Sequence, residues 1–148
     1  ILANMKGFTS GLFLNDKKIS EATEANIRDL RIKTPSADEI VGQLSGGNQQ
    51  KVVIGKWVNT DADIFIFDEP TRGIDVGAKI EVYNVMNRLV KEGKCVIMIS
   101  SEMPEILGMS DRVIVMRGGR VMATVDRDSK HFNQESLMKV AWGGTLDD

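Results

Sequence analysis

Two adjacent carboxylates, Asp68 and Glu69, have the clearest potential for chemistry in this sequence. They follow the apolar run IFIF at residues 64–67, which is typical of a strand that is buried on both faces of a sheet. Ligands of open parallel sheets bind at the carboxyl ends of the strands. Asp68 is therefore placed to hold Mg²⁺, directly or through water, and Glu69 is placed to polarise an attacking water. The alternative is a pair of solvated acids in a turn.

A second candidate site is the segment LSGGNQQK at residues 44–51. Ser45 can cap the helix that is predicted to follow, and the missing Cβ atoms of Gly46 and Gly47 let backbone N–H groups approach a ligand closely. The start of a helix presents unpaired N–H groups and the positive end of the helix dipole, which together suit a phosphate. The alternative is a glycine-containing helix start that binds no ligand.

Residues 44–116 alternate helix and strand patterns around these two candidate sites. The segment 51–60 has apolar pairs at helical spacing, and a strongly amphipathic helix is predicted around residues 82–90, ending at Gly93. Another apolar run at residues 96–99 predicts a second buried strand. Because a helix between two apolar strands indicates a βαβ unit, we expect a parallel sheet.

The segment before residue 44 has a different pattern. A helix is predicted over residues 20–31, with Ser20 as its N-cap, and Pro35 prevents its extension. Residues 36–39 read Ser-Ala-Asp-Glu, which is a candidate capping box that opens a short turn.

The C-terminal third predicts a hairpin and a helix. Apolar segments flank Gly118 and Gly119, and two central glycines favour a β-hairpin turn. A last helix is predicted over residues 134–142 with Asn133 as its cap, and residues 143–148 are expected to form a loose tail.

Composition narrows the class of protein. With 148 residues, 42% hydrophobic, 27% charged and a net charge of −2, the chain fits one ordinary domain without a basic patch for nucleic acid or anionic lipid. No apolar run approaches the roughly 18 residues that a membrane-spanning helix needs. The single cysteine, Cys95, has no partner for an intrachain disulfide, and we expect it to be buried in a protein from a reducing compartment. The first residue is not Met and no signal peptide follows, which we interpret as the start of a fragment.

Taken together, the two candidate sites resemble the ATP-binding cassette (ABC) family. In that family a Leu-Ser-Gly-Gly signature precedes the Walker B strand by a short helix, which is residues 51–60 here. The resemblance continues through Pro70 and the Gly-Ile-Asp segment at residues 73–75, which matches the D-loop, and it covers about residues 1–142. The segments 48–51, 71–79 and 100–105 are similar to the second cassette of ribose/galactose-type sugar importers, which carry two cassettes in one chain.

The resemblance implies a partial P-loop NTPase fold of the α/β class. Its expected parts are a parallel sheet with flanking helices, a C-terminal β-hairpin and a final helix. Residues 1–43 would come from the helical subdomain, residues 44–142 from a catalytic subdomain that lacks the Walker A segment, and residues 143–148 from the tail.

The resemblance also implies roles for the site residues, because in the family each ATP lies between two cassettes that pair head to tail. Ser45, Gly46 and Gly47 would contact ATP held by the partner cassette. Asp68 would bind Mg²⁺ and Glu69 would be the catalytic base at this cassette's own nucleotide. The remaining nucleotide-binding residues would be Gln49, Asp75 at the dimer interface, and Ser101.

Two departures from the family pattern limit what this chain is expected to do alone. No G-x-x-x-x-G-K-[ST] segment occurs in it, so we expect it to bind ATP weakly or not at all and interpret the chain as truncated. Ser101 stands where the family usually has a switch histidine that contacts the γ-phosphate, which predicts a slow or non-hydrolytic local site.

The function implied by the resemblance is that of an ATPase that drives sugar import. Its partners would be the second cassette in the same chain, transmembrane permease subunits and, indirectly, a periplasmic or extracellular sugar-binding protein, but no nucleic acid. It would be peripheral, on the cytoplasmic face of the bacterial membrane. The alternatives are a regulatory cassette that binds nucleotide without hydrolysis, and an ABC-type ATPase of DNA repair or chromosome organisation.

Overall fold

The computed structural model describes residues 2–10, 13–60 and 62–146, which divide into two compact units between Ile97 and Met98. The helices are α1 (Asp16–Asp29), α2 (Gly46–Val58), α3 (Val76–Lys91), α4 (Met103–Met109) and α5 (Gln134–Ala141), with 3₁₀ segments at Leu2–Phe8 and Val41–Gln43. The strands are β1 (Thr9–Ser10), β2 (Phe13–Leu14), β3 (Ile64–Asp68), β4 (Cys95–Ile99), β5 (Arg112–Arg117) and β6 (Arg120–Asp126). None of the described helices is long and apolar enough to cross a bilayer.

Helix α1 starts earlier than its sequence pattern predicted. Asn15, not Ser20, is the N-cap, and its Oδ1 accepts the Lys18 N–H at 3.0 Å. Both residues are good caps, but Asn15 is followed directly by an acid that favours the first turn. The helix ends at Asp29, and Arg31 takes a left-handed conformation with φ 50°, so termination does not depend on a later proline.

The short turn predicted at residues 36–39 is present, but the capping box predicted to open it is wrong. The Glu39 carboxylate accepts the N–H of Ile40 at 3.2 Å rather than reaching back to Ser36. The chain then passes through the short 3₁₀ segment Val41–Gln43 and enters α2.

Helix α2 begins directly after Ser45, at the predicted N-cap position and five residues before the segment 51–60 in which its apolar pattern was recognised. It packs closely on the end of α1, where a Cβ added at Gly55 would lie 2.9 Å from Leu30 Cδ1. Gly55 therefore allows this close approach, since a side chain here would make Leu30 or the helix shift.

Helix α3 connects β3 to its neighbour β4, which confirms the predicted crossover. Its apolar face is buried at Val82, Val85, Met86 and Leu89. The Cys95 N–H donates to Asp63 O at 2.8 Å, and these residues stand at the starts of the two strands, as in a parallel pair. Helix α3 ends as predicted: Gly93 has φ 83°, and the N–H groups of residues 93 and 94 close a Schellman motif.

Burial of β3 and β4 on both faces was predicted, and this is wrong. Phe65 is buried, but Ile64 and Ile66 are 59% and 66% exposed, and Ile97 is 46% exposed. The expectation that Cys95 is buried is also wrong. In the described residues β3 and β4 form a two-stranded sheet, and only one face of the apolar strand β3 is packed against other residues.

The second unit contains the predicted hairpin. Strands β5 and β6 are antiparallel, with Val113 opposite Val125, and the turn residues Gly118 and Gly119 have φ of 56° and 74°. Two consecutive left-handed residues are what a two-residue hairpin turn requires, so the glycine pair is explained by conformation.

Helix α5 packs on this hairpin through Leu137 and Val140 and has the predicted cap, with Asn133 Oδ1 accepting the Ser136 N–H at 2.9 Å. Residues 143–146 are held to α5: Gly143 and Gly144 donate N–H bonds back to it, and Leu146 packs against the same core. Residues 147 and 148 of the expected loose tail lie outside the described residues.

Candidate functional site

The start of α2 leaves a set of backbone donors without acceptors. The first helical bond runs from the Gln49 N–H to Ser45 O at 2.9 Å. The preceding N–H groups, those of Gly46, Gly47 and Asn48, have no acceptor within the described residues. Ser45 occupies the N-cap position, but the prediction that its side chain caps the helix is wrong. Unpaired amides at the positive end of a helix dipole suit an anion.

The two glycines of this segment have different surroundings. A Cβ added at Gly46 would meet no other part of the described chain within 4 Å, so this position is open to an approaching ligand. A Cβ added at Gly47 would lie 2.7 Å from the Ala78 Cβ and 3.7 Å from Asp75 Oδ2. Gly46 therefore gives access from outside, whereas Gly47 allows α2 to pack against the start of α3.

Two side chains of the first turn of α2, those of Asn48 and Gln49, make hydrogen bonds around Ser45. Ser45 is exposed, and its Oγ accepts a hydrogen bond from Asn48 Nδ2 at 2.9 Å. Gln49 Nε2 donates to Leu44 O at 2.7 Å and to Gly42 O at 3.4 Å. Gln49 thus steadies the chain as it enters α2, which is a local role that the sequence did not predict for it.

The acid pair lies at the end of β3, as its position in the sequence predicted. Asp68 is the last residue of the strand and is exposed, and Glu69 follows it half-buried. Glu69 has φ 47°, in the left-handed region that residues other than glycine rarely adopt. Such strained residues cluster at functional sites. Gln50 Nε2 donates to Pro70 O at 3.1 Å, so a side chain of α2 is bonded to the turn that follows the acid pair.

The residues at this edge are compatible with a magnesium–nucleotide ligand. No group of three or more His, Cys, Asp or Glu side chains that could enclose a metal occurs in the described parts of the chain. Mg²⁺ usually keeps several waters and binds one or two carboxylates together with substrate phosphates. An exposed carboxylate such as that of Asp68 fits this mode, in which phosphates and waters supply the other ligands of the Mg²⁺ ion.

Asp75 links the two candidate sites through the start of α3. Its Oδ1 accepts the Ala78 N–H at 3.0 Å and so caps α3, while Oδ2 lies beside the position where Gly47 would carry a Cβ. The D-loop segment and the signature segment of the same chain are therefore in contact, and Asp75 has a structural function in addition to the interface role implied for it.

Lys51 is a buried charge that the sequence analysis missed. It is 5% exposed, forms an ion pair with Glu81 and donates to Arg31 O at 2.9 Å. Burial lowers the pKa of its ammonium group, and the nearby charge of Lys33 lowers it further. Lys51 shares a helix face with the buried residues Gly47, Ile54 and Gly55, and this spacing of four, three and four residues could have revealed it.

Ser101 lies in the second unit and is exposed. The loop that carries it is held by Ser100, whose Oγ donates to Glu105 and accepts the Glu102 N–H at 3.0 Å. Glu105 is 4% exposed, so the loop is anchored in the interior of this unit. The nucleotide role of Ser101 stays a prediction.

Comparison with protein families and solved structures identifies the fold. Residues 3–72 match the family model described as ABC transporter. The dimeric structure of a bacterial ABC transporter cassette superposes with a TM-score of 0.70 at 18% identity, covering 84% of this chain and 53% of that one. The ADP conformation of an ABC transporter's ATP-binding cassette gives 0.64 at 24% identity, covering 83% of this chain and 46% of that one. The chain thus has part of the P-loop NTPase fold of these cassettes, in the α/β class.

Curated relatives are considerably more similar in sequence. The chain is 50% identical over 143 residues to a ribose/galactose/methyl galactoside import ATP-binding protein of Rhizobium etli, covering 97% of this chain and 27% of that protein. It is 55% identical over 130 residues to a xylose import ATP-binding protein of Thermoanaerobacter pseudethanolicus, covering 88% of this chain and 25% of that one. For a ribose import ATP-binding protein of Rubrobacter xylanophilus the identity is 48% over 145 residues, covering 97% and 29%.

The chain spans between a quarter and a third of the length of these relatives. The matched family model and the shared cassette fold agree with the high identity across nearly the whole chain. The chain belongs to the ABC transporter family of ATP-binding cassettes.

Proposed function

We propose that this chain is part of the ATP-binding subunit of a bacterial sugar importer, in which it helps couple ATP binding and hydrolysis to sugar uptake. The observation that carries the proposal is its 50% identity, over 97% of the chain, to an import ATP-binding protein for ribose and galactose-type sugars. Import ATP-binding proteins for xylose and ribose are similarly related and support this proposal over the DNA-repair alternative.

In this proposal the start of α2 acts on ATP that is held by a second cassette. Its support is the group of three unpaired N–H donors, together with the open space at Gly46 and the exposed hydroxyl of Ser45. The sequence contains no G-x-x-x-x-G-K-[ST] loop, so the phosphates that these donors meet would be held by another segment of the whole protein. Gln49 would contribute by holding the entry to α2 rigid.

The acid pair would act on the nucleotide of this chain's own cassette. Asp68 would hold Mg²⁺, which neutralises charge on the phosphates when it is bound. Glu69 would accept a proton from the attacking water. Its left-handed backbone conformation would set the direction in which the side chain leaves the end of β3. Asp75, in contact with the signature segment, would lie at the interface between cassettes.

The remaining assignments follow from the same proposal. Residues 1–43 would belong to a helical subdomain and residues 44–142 to a catalytic subdomain. The second cassette would lie in the same chain, permease subunits would bind on the membrane side, and a sugar-binding protein outside the membrane would act through them. The protein would be peripheral, on the cytoplasmic face, and would bind no nucleic acid.

A regulatory cassette without hydrolysis is the second candidate, and Ser101 is the observation that favours it. A serine hydroxyl is shorter than an imidazole and cannot supply the same hydrogen bond to a γ-phosphate. In that case ATP at the local site would only hold the two cassettes together, while the signature would still complete the partner's site.

Substitution of Glu69 separates the two candidates. In the full-length importer, Glu69→Gln keeps the shape of the side chain and removes the base, so hydrolysis is expected to fall by about 100-fold or more. The measurement is phosphate release by the importer in lipid vesicles, with Glu92→Gln, an exposed acid at the end of α3, as the matched control. Unchanged turnover in Glu69→Gln would favour the regulatory cassette.

A further inference from the structure

Asn48 holds together two segments at the candidate phosphate site, and nothing above assigns it a role. It lies in the first turn of α2, three residues after Ser45. Its Oδ1 accepts the Lys33 N–H at 2.9 Å, and its Nδ2 donates to Ser45 Oγ at 2.9 Å. Asn48 is therefore bonded at both ends of its amide group.

The bond to Lys33 determines which way the amide of Asn48 points. A backbone N–H can only donate, so the atom that faces Lys33 must be the amide oxygen. The amide nitrogen must then face Ser45.

The orientation of Asn48 in turn determines what the Ser45 hydroxyl does. An NH₂ group can only donate, so Ser45 Oγ is the acceptor in this bond and its own proton is directed elsewhere. An N-cap serine ordinarily accepts the N–H of the second or third helical residue, here Gly47 or Asn48. Ser45 accepts the side-chain amide of Asn48 instead of its backbone N–H.

We propose that Asn48 is a positioning residue that prevents Ser45 from capping its own helix. The backbone N–H that Ser45 Oγ would otherwise accept then stays available to an anionic ligand, together with the other two N–H groups and the hydroxyl proton. The identity of that ligand, the terminal phosphate of ATP held by a second cassette, rests on the proposed function. The hydrogen bonds of Asn48 do not, because they are made within this chain. A serine oxygen can accept two hydrogen bonds, so the proposal requires that the bond to Asn48 Nδ2 turn Ser45 Oγ away from the backbone N–H groups.

The first test is a double-mutant cycle in the full-length importer. Ser45→Ala, Asn48→Ala and the double variant are compared for ATP hydrolysis, with Asn87→Ala, an exposed asparagine on α3, as the control. Because Asn48 acts through Ser45, Asn48→Ala is expected to lower turnover by about 10-fold, and the double variant should be no slower than Ser45→Ala within about 2-fold. Losses that multiply would overturn the proposal.

The second test measures hydrogen exchange of the first turn of α2 without nucleotide. In Asn48→Ala, Ser45 is free to cap the helix, so one amide that exchanges readily in the natural protein should become protected. The double variant should lose that protection. A residue that only supported the local fold would have the opposite effect, since its removal would speed exchange.

A second variant keeps the test valid if Asn48→Ala folds poorly. Asn48→Asp retains the acceptor for the Lys33 N–H but cannot donate to Ser45, and its carboxylate would instead accept a hydrogen bond from the Ser45 hydroxyl. We expect normal thermal unfolding and a loss of turnover at least as large as that of Asn48→Ala. Unchanged turnover in a folded Asn48→Asp protein would overturn the proposal.

The two readouts separate this inference from the proposed function. If protection rises in Asn48→Ala but Ser45→Ala leaves hydrolysis unchanged, the role of Asn48 stands and the phosphate role of Ser45 fails. If Ser45→Ala abolishes hydrolysis while Asn48→Ala speeds exchange, the proposed function stands and the role of Asn48 fails.

Discussion

Helices α2 and α3 start beside each other, yet their first turns are built differently. Asp75 caps α3 by accepting the Ala78 N–H at 3.0 Å. Ser45 stands at the same position of α2 and has an equally suitable oxygen, but it makes no such bond in the described residues. One helix start is closed by its own side chain and the other is left open. The difference indicates that the start of α2 is arranged for an external ligand, whereas that of α3 is arranged for stability.

The largest expected effect comes from blocking the open helix start. Gly46→Val places methyl groups in the space where a phosphate would approach, and its Cβ would meet no other described part of the chain within 4 Å. ATP hydrolysis by the full-length importer is expected to fall on the order of 100-fold, with stability within about 1 kcal/mol of the natural protein. Phosphate release and denaturant unfolding check the two parts. A variant with normal turnover would show that this face does not meet the phosphate.

A smaller effect, on stability, is expected at the neighbouring glycine. Gly47→Ala brings a methyl group to 2.7 Å from the Ala78 Cβ, which forces α2 and α3 apart. The free energy of unfolding should fall by about 1–3 kcal/mol, measured by denaturant titration. Gly46→Ala is the matched control, since the same methyl group would meet nothing. Equal stability of the two variants would mean that the contact between the helices is looser than described.

These two glycines also show what could and could not be read from the sequence. Features set by neighbouring residues were predicted correctly: the turn at Gly118 and Gly119 and the cap at Asn133 depend on local backbone conformation. The different roles of Gly46 and Gly47 depend on where α3 lies, and adjacent letters in a motif carry no information about that.

Burial was harder to predict than turns and caps, because it also depends on where other elements of the chain lie. Ile64 and Ile66 belong to an apolar run that predicts a fully buried strand, yet both are exposed, because cover depends on what packs over the sheet. The burial of Lys51 was missed for the opposite reason. A lysine is usually solvated, and this one is buried with an ion pair to Glu81 and a hydrogen bond to Arg31 O.

The smallest expected effect compares the two caps directly. Asp75→Ala removes the bond to the Ala78 N–H and should lower the free energy of unfolding by about 1 kcal/mol. Ser45→Ala should change it by only a few tenths of that, because Ser45 caps nothing. Parallel thermal and denaturant unfolding of the two variants provides the measurement. Equal losses would contradict the distinction between an open and a closed helix start.

The most direct test of the account asks whether the open start of α2 meets a nucleotide held by the other cassette. The full-length importer, labelled with ¹⁵N at glycine, would be loaded with ATP and Mn²⁺, which broadens the amide signals of nearby residues. We predict that the Gly46 signal broadens, that Asp68→Asn leaves this broadening intact, and that replacing the phosphate-binding lysine of the other cassette abolishes it. Broadening that disappears with Asp68→Asn and survives the lysine replacement would contradict the account.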